Sequence, residues 1–378
     1  DSLNNALRSI ASRTGAASAV ALDSSSLSAN STAYFAKFNS ATWEGELSAF
    51  PIDPSGTISA TSDWDAHTLL EAKAPTDRAI VTFNPASATF TGIPFRTLGS
   101  LTTAQQNDLK TTTTGLLDVT GTANTDGQAR LDYLRGDHSC EVTSTATCSA
   151  TSRLFRDRIL NAATFPNPAR YKLGDIIHSS PVYVGVPPLA LPNRDPFGVD
   201  GERHRDYKYG IASASDAFTS GNNASNRTPM IYVGSNDGML HAFNANTGEE
   251  IWGYIPNSLF ATGNSDGLHK LTETDYEHKY YVDLDPTVVD AFIETAPGVS
   301  NWHTVLVGGL RAGGRGLFAI DVTDPDEIIN EVTASQRESK LASRVMWEFS
   351  SADDVDMGLS YSQPQIVPIG DKGMATPI

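Results

Sequence analysis

The chain is poor in basic side chains, in cysteine and in long apolar runs, and each shortage removes a class of function. Lys and Arg number 27 against 44 Asp and Glu, a formal charge of −17. So negative a surface repels nucleic-acid backbones and anionic lipid, and neither is expected as a main partner. No run of about 18 apolar residues occurs, so no membrane-spanning helix and no integral membrane protein built on one is expected. The eight histidines are scattered, with no His-Glu-x-x-His, no Gly-x-Ser-x-Gly elbow and no Gly-x-x-x-x-Gly-Lys phosphate loop. Motif-bearing metalloprotease, hydrolase and nucleotidase chemistry is therefore not expected. A basic-then-apolar leader is also missing before Asp1, and the chain reads as a processed or excised piece.

What is present is glycine, proline and small polar residues. Gly numbers 30 and Pro 20, and only 19% of side chains are charged, a composition common in exported β-rich proteins. At 378 residues the length suggests two domains. The two cysteines, Cys140 and Cys148, lie eight positions apart in a Ser/Thr-rich stretch without a second thiol pair or His pair to complete a zinc site. A local disulfide in an oxidising compartment is expected, worth roughly 2 to 3 kcal/mol to the surface loop it closes.

Periodicity divides the chain into a small α+β region at 1–100, a connector with the disulfide loop at 101–170, and a mainly β region at 171–378. Leu3, Leu7 and Ile10 predict a helix over 1–14. Residues 34–38 and 43–50 alternate as strands, 63–73 suggests a short helix, and 103–110 and 129–134 suggest two more. Four apolar runs closed by Gly or a turn residue begin at Val182, Ile231, Val305 and Ile366, with spacings of 49, 74 and 61 residues. Repeats on this scale predict β-propeller blades, the last cut short at Ile378. Around Ile231 the order is strand, Asn236-Asp237-Gly238 turn, strand, Asn246-Thr247-Gly248 turn, then a strand through Trp252. The turns supply the positive φ of tight hairpins.

Residues 171–185, 231–243 and 313–325, supported by 43–47, 133–137 and 155–158, resemble in that order the PilC/PilY family of type IV pilus biogenesis and tip-associated proteins. The resemblance covers most of the chain. It implies a C-terminal β-propeller at or near the pilus tip that controls extension and retraction, hence twitching motility. It also implies minor pilins as partners, adhesion to a host-cell surface receptor, and an exported protein on the outer membrane or outside the cell. An upstream von Willebrand A-like domain, of which 1–15 resembles the end, and a calcium loop in a later blade are further implications of the family. The rival is a quinoprotein. The same strand, Asp-Gly, Leu-x-Ala-Phe and Trp grammar occurs in PQQ-type dehydrogenases and in their non-catalytic propeller relatives, where the tryptophan packs between blades. Irregular unit lengths favour the non-enzymatic reading, with no organic cofactor.

Three sets of residues are candidate sites. Asn124, Asp126, Gln128 and Asp132 place oxygens at alternate positions around Gly127 and suit a calcium loop, or else an ordinary turn before a helix. Arg135, Gly136 and Asp137 form an Arg-Gly-Asp tripeptide, an integrin-type adhesion motif if exposed and an internal ion pair or hydrogen-bond node if not. Asp353, Asp354 and Asp356 form an acidic turn. His241 reads as a satisfied propeller histidine, Arg311 and Arg315 either clamp an anion or pair with blade carboxylates, and loops 193–229 and 258–285 are expected to project Tyr207, Tyr209, Phe218, Tyr276, Tyr280 and Tyr281 for protein or glycan contacts.

Overall fold

Short alternating segments separated by Gly- and Asn-rich turns fold into three sheets, antiparallel except for one strand pair. The computed structural model describes residues 17–23, 31–87, 91–111, 123–150, 155–159, 170–188, 204–210, 218, 221–263, 265–296 and 299–367. The helix expected over 1–14 lies outside them, as does most of 193–220. The first sheet is a meander of β1 (Ala17–Leu22), β2 (Ser31–Asn39), β3 (Glu44–Ile52) and the short β4 (Trp64–Asp65). Asp65 then caps helix α1 (Ala66–Ala72), its side chain accepting from the Thr68 amide; such a cap is worth about 1 kcal/mol.

The second sheet has six strands in the order β6-β5-β10-β9-β8-β7. Four of them, β7 (Val182–Val184), β8 (Met230–Ser235), β9 (Met239–Asn244) and β10 (Glu250–Ile255), form one antiparallel fan. Gly238 (φ 93°) and Gly248 (φ 74°) make its two tight turns, as their sequence requires. The outer edge is extended by β5 (Ile80–Phe83), parallel to β10, and by β6 (Gly92–Pro94). Part of the segment read as the small α+β region is thus hydrogen-bonded into the fan.

The third sheet is β11 (Thr287–Ala296), β12 (Val299–Gly309), β13 (Gly316–Asp321) and β14 (Val345–Ser350), in chain order. The charged insertion between β13 and β14 carries two helices, Pro325–Ile329 and Ala334–Ala342.

This topology corrects the unit count. Val182 pairs with Tyr232 in one sheet, so the runs at 182 and 231 are neighbouring strands of a single fan, not two blades. The spacing from 231 to 305 joins equivalent second strands of successive fans. No strand forms at 366 among the described residues. Ile366 instead packs on the Val305, Val307 and Ala319 face of the third sheet.

Period two sets the layering. Ile231 and Val233 on β8 face Tyr34, Leu47 and Trp64 of the first sheet, and Met230 and Tyr232 join the core shared with Leu306, Phe318 and Ile320 of the third. The six-stranded sheet therefore lies between the other two. Trp252 is buried in that core against Tyr232, ring centroids 5.7 Å apart, which is a packing role.

One contact crosses the sheets through a carboxyl. Glu348 of β14 accepts from the Tyr254 hydroxyl (2.5 Å) and the Asn257 amide (2.7 Å), while burial pushes it up to about 7. A carboxyl raised in this way contributes stability below its unfolded value near 4.5 that is lost as pH rises to 7, at most about 3 kcal/mol. Glu348→Gln is expected to remove this slope, read as a smaller difference in urea midpoint between pH 4.5 and pH 7.

Candidate functional site at one rim

Four segments distant in sequence meet at one end of the sheets, and three of them, within 43–47, 171–185 and 231–243, carry the family resemblance. The β2–β3 hairpin tip docks by its Gly45 amide on the Leu173 carbonyl (3.1 Å). A Cβ at Gly45 would collide with the Gly174 carbonyl, so only glycine permits this approach. The Gly174 amide donates to Asp237 (3.1 Å), and Asn236 donates to Asp175 (2.6 Å) while accepting from the Tyr281 amide (2.9 Å). Ser179 accepts from the Gly234 amide (2.8 Å) and donates to the Leu284 carbonyl (3.2 Å). Each motif thus completes the hydrogen bonds of another.

Beneath this rim runs a line of buried charge. His241 bridges Asp237 (3.0 Å) and Glu250 (2.8 Å), and Glu250 takes two bonds from Arg78, at 2.8 and 2.7 Å. Arg78 and Glu250 are 1% and 0% exposed, which sets the size of the effects argued below. Burial would discharge His241, but Asp237 and Glu250 outweigh it and hold the imidazole up at about 9. Burial likewise opposes the charge on Glu250, and Arg78 and His241 keep the carboxyl well below its ordinary range. Arg78 also donates to the Arg135 carbonyl (2.9 Å), and Arg135 pairs with Glu338 (3.0 Å), which in turn holds Arg96 (2.7 Å). The network joins the rim turn, the fan, the connector and the helix Ala334–Ala342.

The expected calcium loop is corrected. Asn124, Asp126, Gln128 and Asp132 all lie on the helix Ala123–Leu134, where positions two apart do not share a face. Gln128 accepts from the Leu98 amide (2.7 Å) and donates to Asp132 (3.0 Å) and the Arg96 carbonyl (3.2 Å). Among the described residues no three His, Cys, Asp or Glu side chains gather as metal ligands.

An exposed adhesion tripeptide is likewise corrected. Arg135 is buried against Glu338, Phe95 and Arg78, Gly136 turns at φ 105°, and Asp137 accepts from the Ser139 amide (2.7 Å). The internal node is what forms. Cys140 and Cys148 are disulfide-bonded. Asp353 and Asp354 fold back on the amides of Ser350 and Asp356, closing a turn.

His241 is satisfied, as read, though its two charged partners escaped the sequence. Tyr207, Phe218 and Tyr281 are buried rather than projected. Arg311 makes no ion pair among the described residues, against the expectation that it meets a blade carboxylate; its guanidinium lies 5.9 Å from the Tyr361 ring.

A family model described as the PilY1 beta-propeller domain matches residues 173–371, more than half of the chain. The chain belongs to this family. "Type IV pilus biogenesis factor PilY1" of Pseudomonas aeruginosa (strain UCBPP-PA14) is 33% identical over 86% of the chain and 22% of its own length. "Type IV pilus biogenesis factor PilY1 homolog" of Xylella fastidiosa is 32% identical over 96% of the chain and 23% of its own. The chain therefore spans less than a quarter of these curated relatives. The crystal structure of the Pseudomonas aeruginosa PilY1 C-terminal domain aligns at 29% identity over 49% of the chain and 28% of its own, with a TM-score of 0.31. Asp237, His241, Glu250 and Glu338 lie within the matched residues, while Gly45, Arg78 and Arg135 precede them; no helix among the described residues is long and apolar enough to cross a membrane.

Proposed function

We propose that this chain is a non-enzymatic holding element of a type IV pilus tip-associated protein, exported and surface-exposed, which supports pilus assembly and extension through minor pilins and contributes to surface adhesion. The supporting observation is mechanical. Segments from residues 43 to 338 are cross-linked by buried ion pairs and by motif-to-motif hydrogen bonds, so a load applied at the rim is shared among three sheets and the connector. The disulfide agrees with an oxidising destination. Pull-down of the native-length protein with minor pilins is expected to recover a complex, and its absence would remove the assembly half of this reading. Quinone uptake with dye-linked alcohol oxidation would replace it with an enzyme.

A further inference from the structure

Only two non-glycine residues in the described chain hold positive φ, Trp43 (59°) and Arg311 (50°), and both lie on the rim. Strain of this kind, of order 1 kcal/mol or more per residue, persists where the surroundings over-determine it and often marks a ligand clamp. Trp43 stacks on His278 with centroids 3.7 Å apart, His278 meets the Tyr280 ring edge-on at 5.3 Å, and Tyr280 meets His178 at 5.3 Å. The result is a row of four partly exposed rings. Both imidazoles are pinned from below, His278 by Asp175 (2.9 Å) and His178 by Asp283 (2.7 Å), so the row is pre-organised. Arg311 stands at its end, on a turn seated against the Tyr281 backbone. Its Nε is buried without a hydrogen bond, and it forms no ion pair among the described residues, acting on Asp283 only at longer range.

A planar, partly exposed guanidinium without an ion-pair partner beside a fixed aromatic shelf matches a ligand that has one carboxylate and one apolar ring face. We propose that this rim binds a carboxylate-bearing sugar, a uronic or sialic acid residue, with Arg311 taking the carboxylate and the rings of Trp43 and Tyr280 taking the pyranose. A phosphosugar fits less well, because its second negative charge would face Asp175 and Asp283 on a chain of charge −17. The proposal rests on the adhesion half of the function above and gives it a ligand class.

Saturation-transfer NMR on the full chain, with the methyl glycosides of N-acetylneuraminic acid and glucuronic acid, methyl glucoside and glucose 1-phosphate, tests it. Both acidic glycosides are expected to bind at least tenfold more tightly than methyl glucoside. Arg311→Gln should remove that preference, and Arg311→Lys should keep part of it should the Gln variant fold poorly. Arg315→Gln, an exposed change in the same hairpin, should bind as wild type. Failure of both acidic glycosides to bind, stronger binding of glucose 1-phosphate, or an unchanged preference in both Arg311 variants would overturn the site. If the acidic sugars fail while the native-length protein still adheres to cells, only the site falls. Loss of adhesion itself would remove the reading on which it rests.

Discussion

Glu250→Ala is expected to destabilise the fold by about 3–5 kcal/mol, the cost of leaving buried charge without its counter-ion. Glu250 faces two cations, Arg78 and His241, and neither has access to bulk water. Truncation leaves both positive with Asp237 as their nearest negative partner, and Arg78 retains only its carbonyl contact and a weak one to the Met239 sulfur. The adjacent residue is the control. Glu249 pairs with Lys73 at 3.0 Å but is 54% exposed, and exposed pairs are worth about 0–1 kcal/mol. Urea titrations of the two alanine variants are expected to separate by several kcal/mol at similar slope. Similar midpoints would mean that the buried line carries no more than a surface pair, and the proposed load-sharing role would lose its support.

That contrast shows where the sequence was readable. Strands were legible because Ile231-Tyr232-Val233-Gly234 and Leu306-Val307-Gly308 are apolar runs closed by glycine, and the Asn236-Asp237-Gly238 turn announces positive φ. Membership of a fan was not legible, because Val182-Tyr183-Val184-Gly185 carries the same pattern one strand earlier in the same sheet. A four-residue apolar run encodes burial but not its position across a sheet. The Asn124 to Asp132 stretch misled for a related reason: oxygen-bearing residues around a glycine suit a loop, yet packing of Leu131 and Leu134 into the core carries the helix through Gly127. The buried charges were invisible because Arg78, Glu250 and Glu338 look like surface residues until β5 docks on β10. Only His241 and the Arg135-Gly136-Asp137 string drew notice, and for the string the internal alternative is the one that forms.

Stability is expected to fall between pH 6.5 and 9 by about 3 kcal/mol through His241 alone. The imidazole is held up at about 9 in the fold against about 6.5 when unfolded, so its contribution is complete below 6.5 and gone once pH has risen through 9. The carboxylates act at the other end. Asp237 and Glu250 are lowered, so their contribution is present above the ordinary carboxylate range and fades only in strong acid. Between about 4.5 and 7 the loss of the Glu348 contribution is opposed by His138, which burial holds down at about 4 so that its contribution grows as pH rises, and the net decline belongs to the His241 window above neutrality. His241→Gln keeps a hydrogen-bonding side chain but cannot charge, so its unfolding free energy should be flat from about pH 7 to 9, whatever its absolute stability. An NMR titration in which the His241 ring loses its proton near 6.5 in the folded chain would refute the charged-imidazole bridge. It would leave the Arg78–Glu250 pair as the remaining ionic link of that buried line.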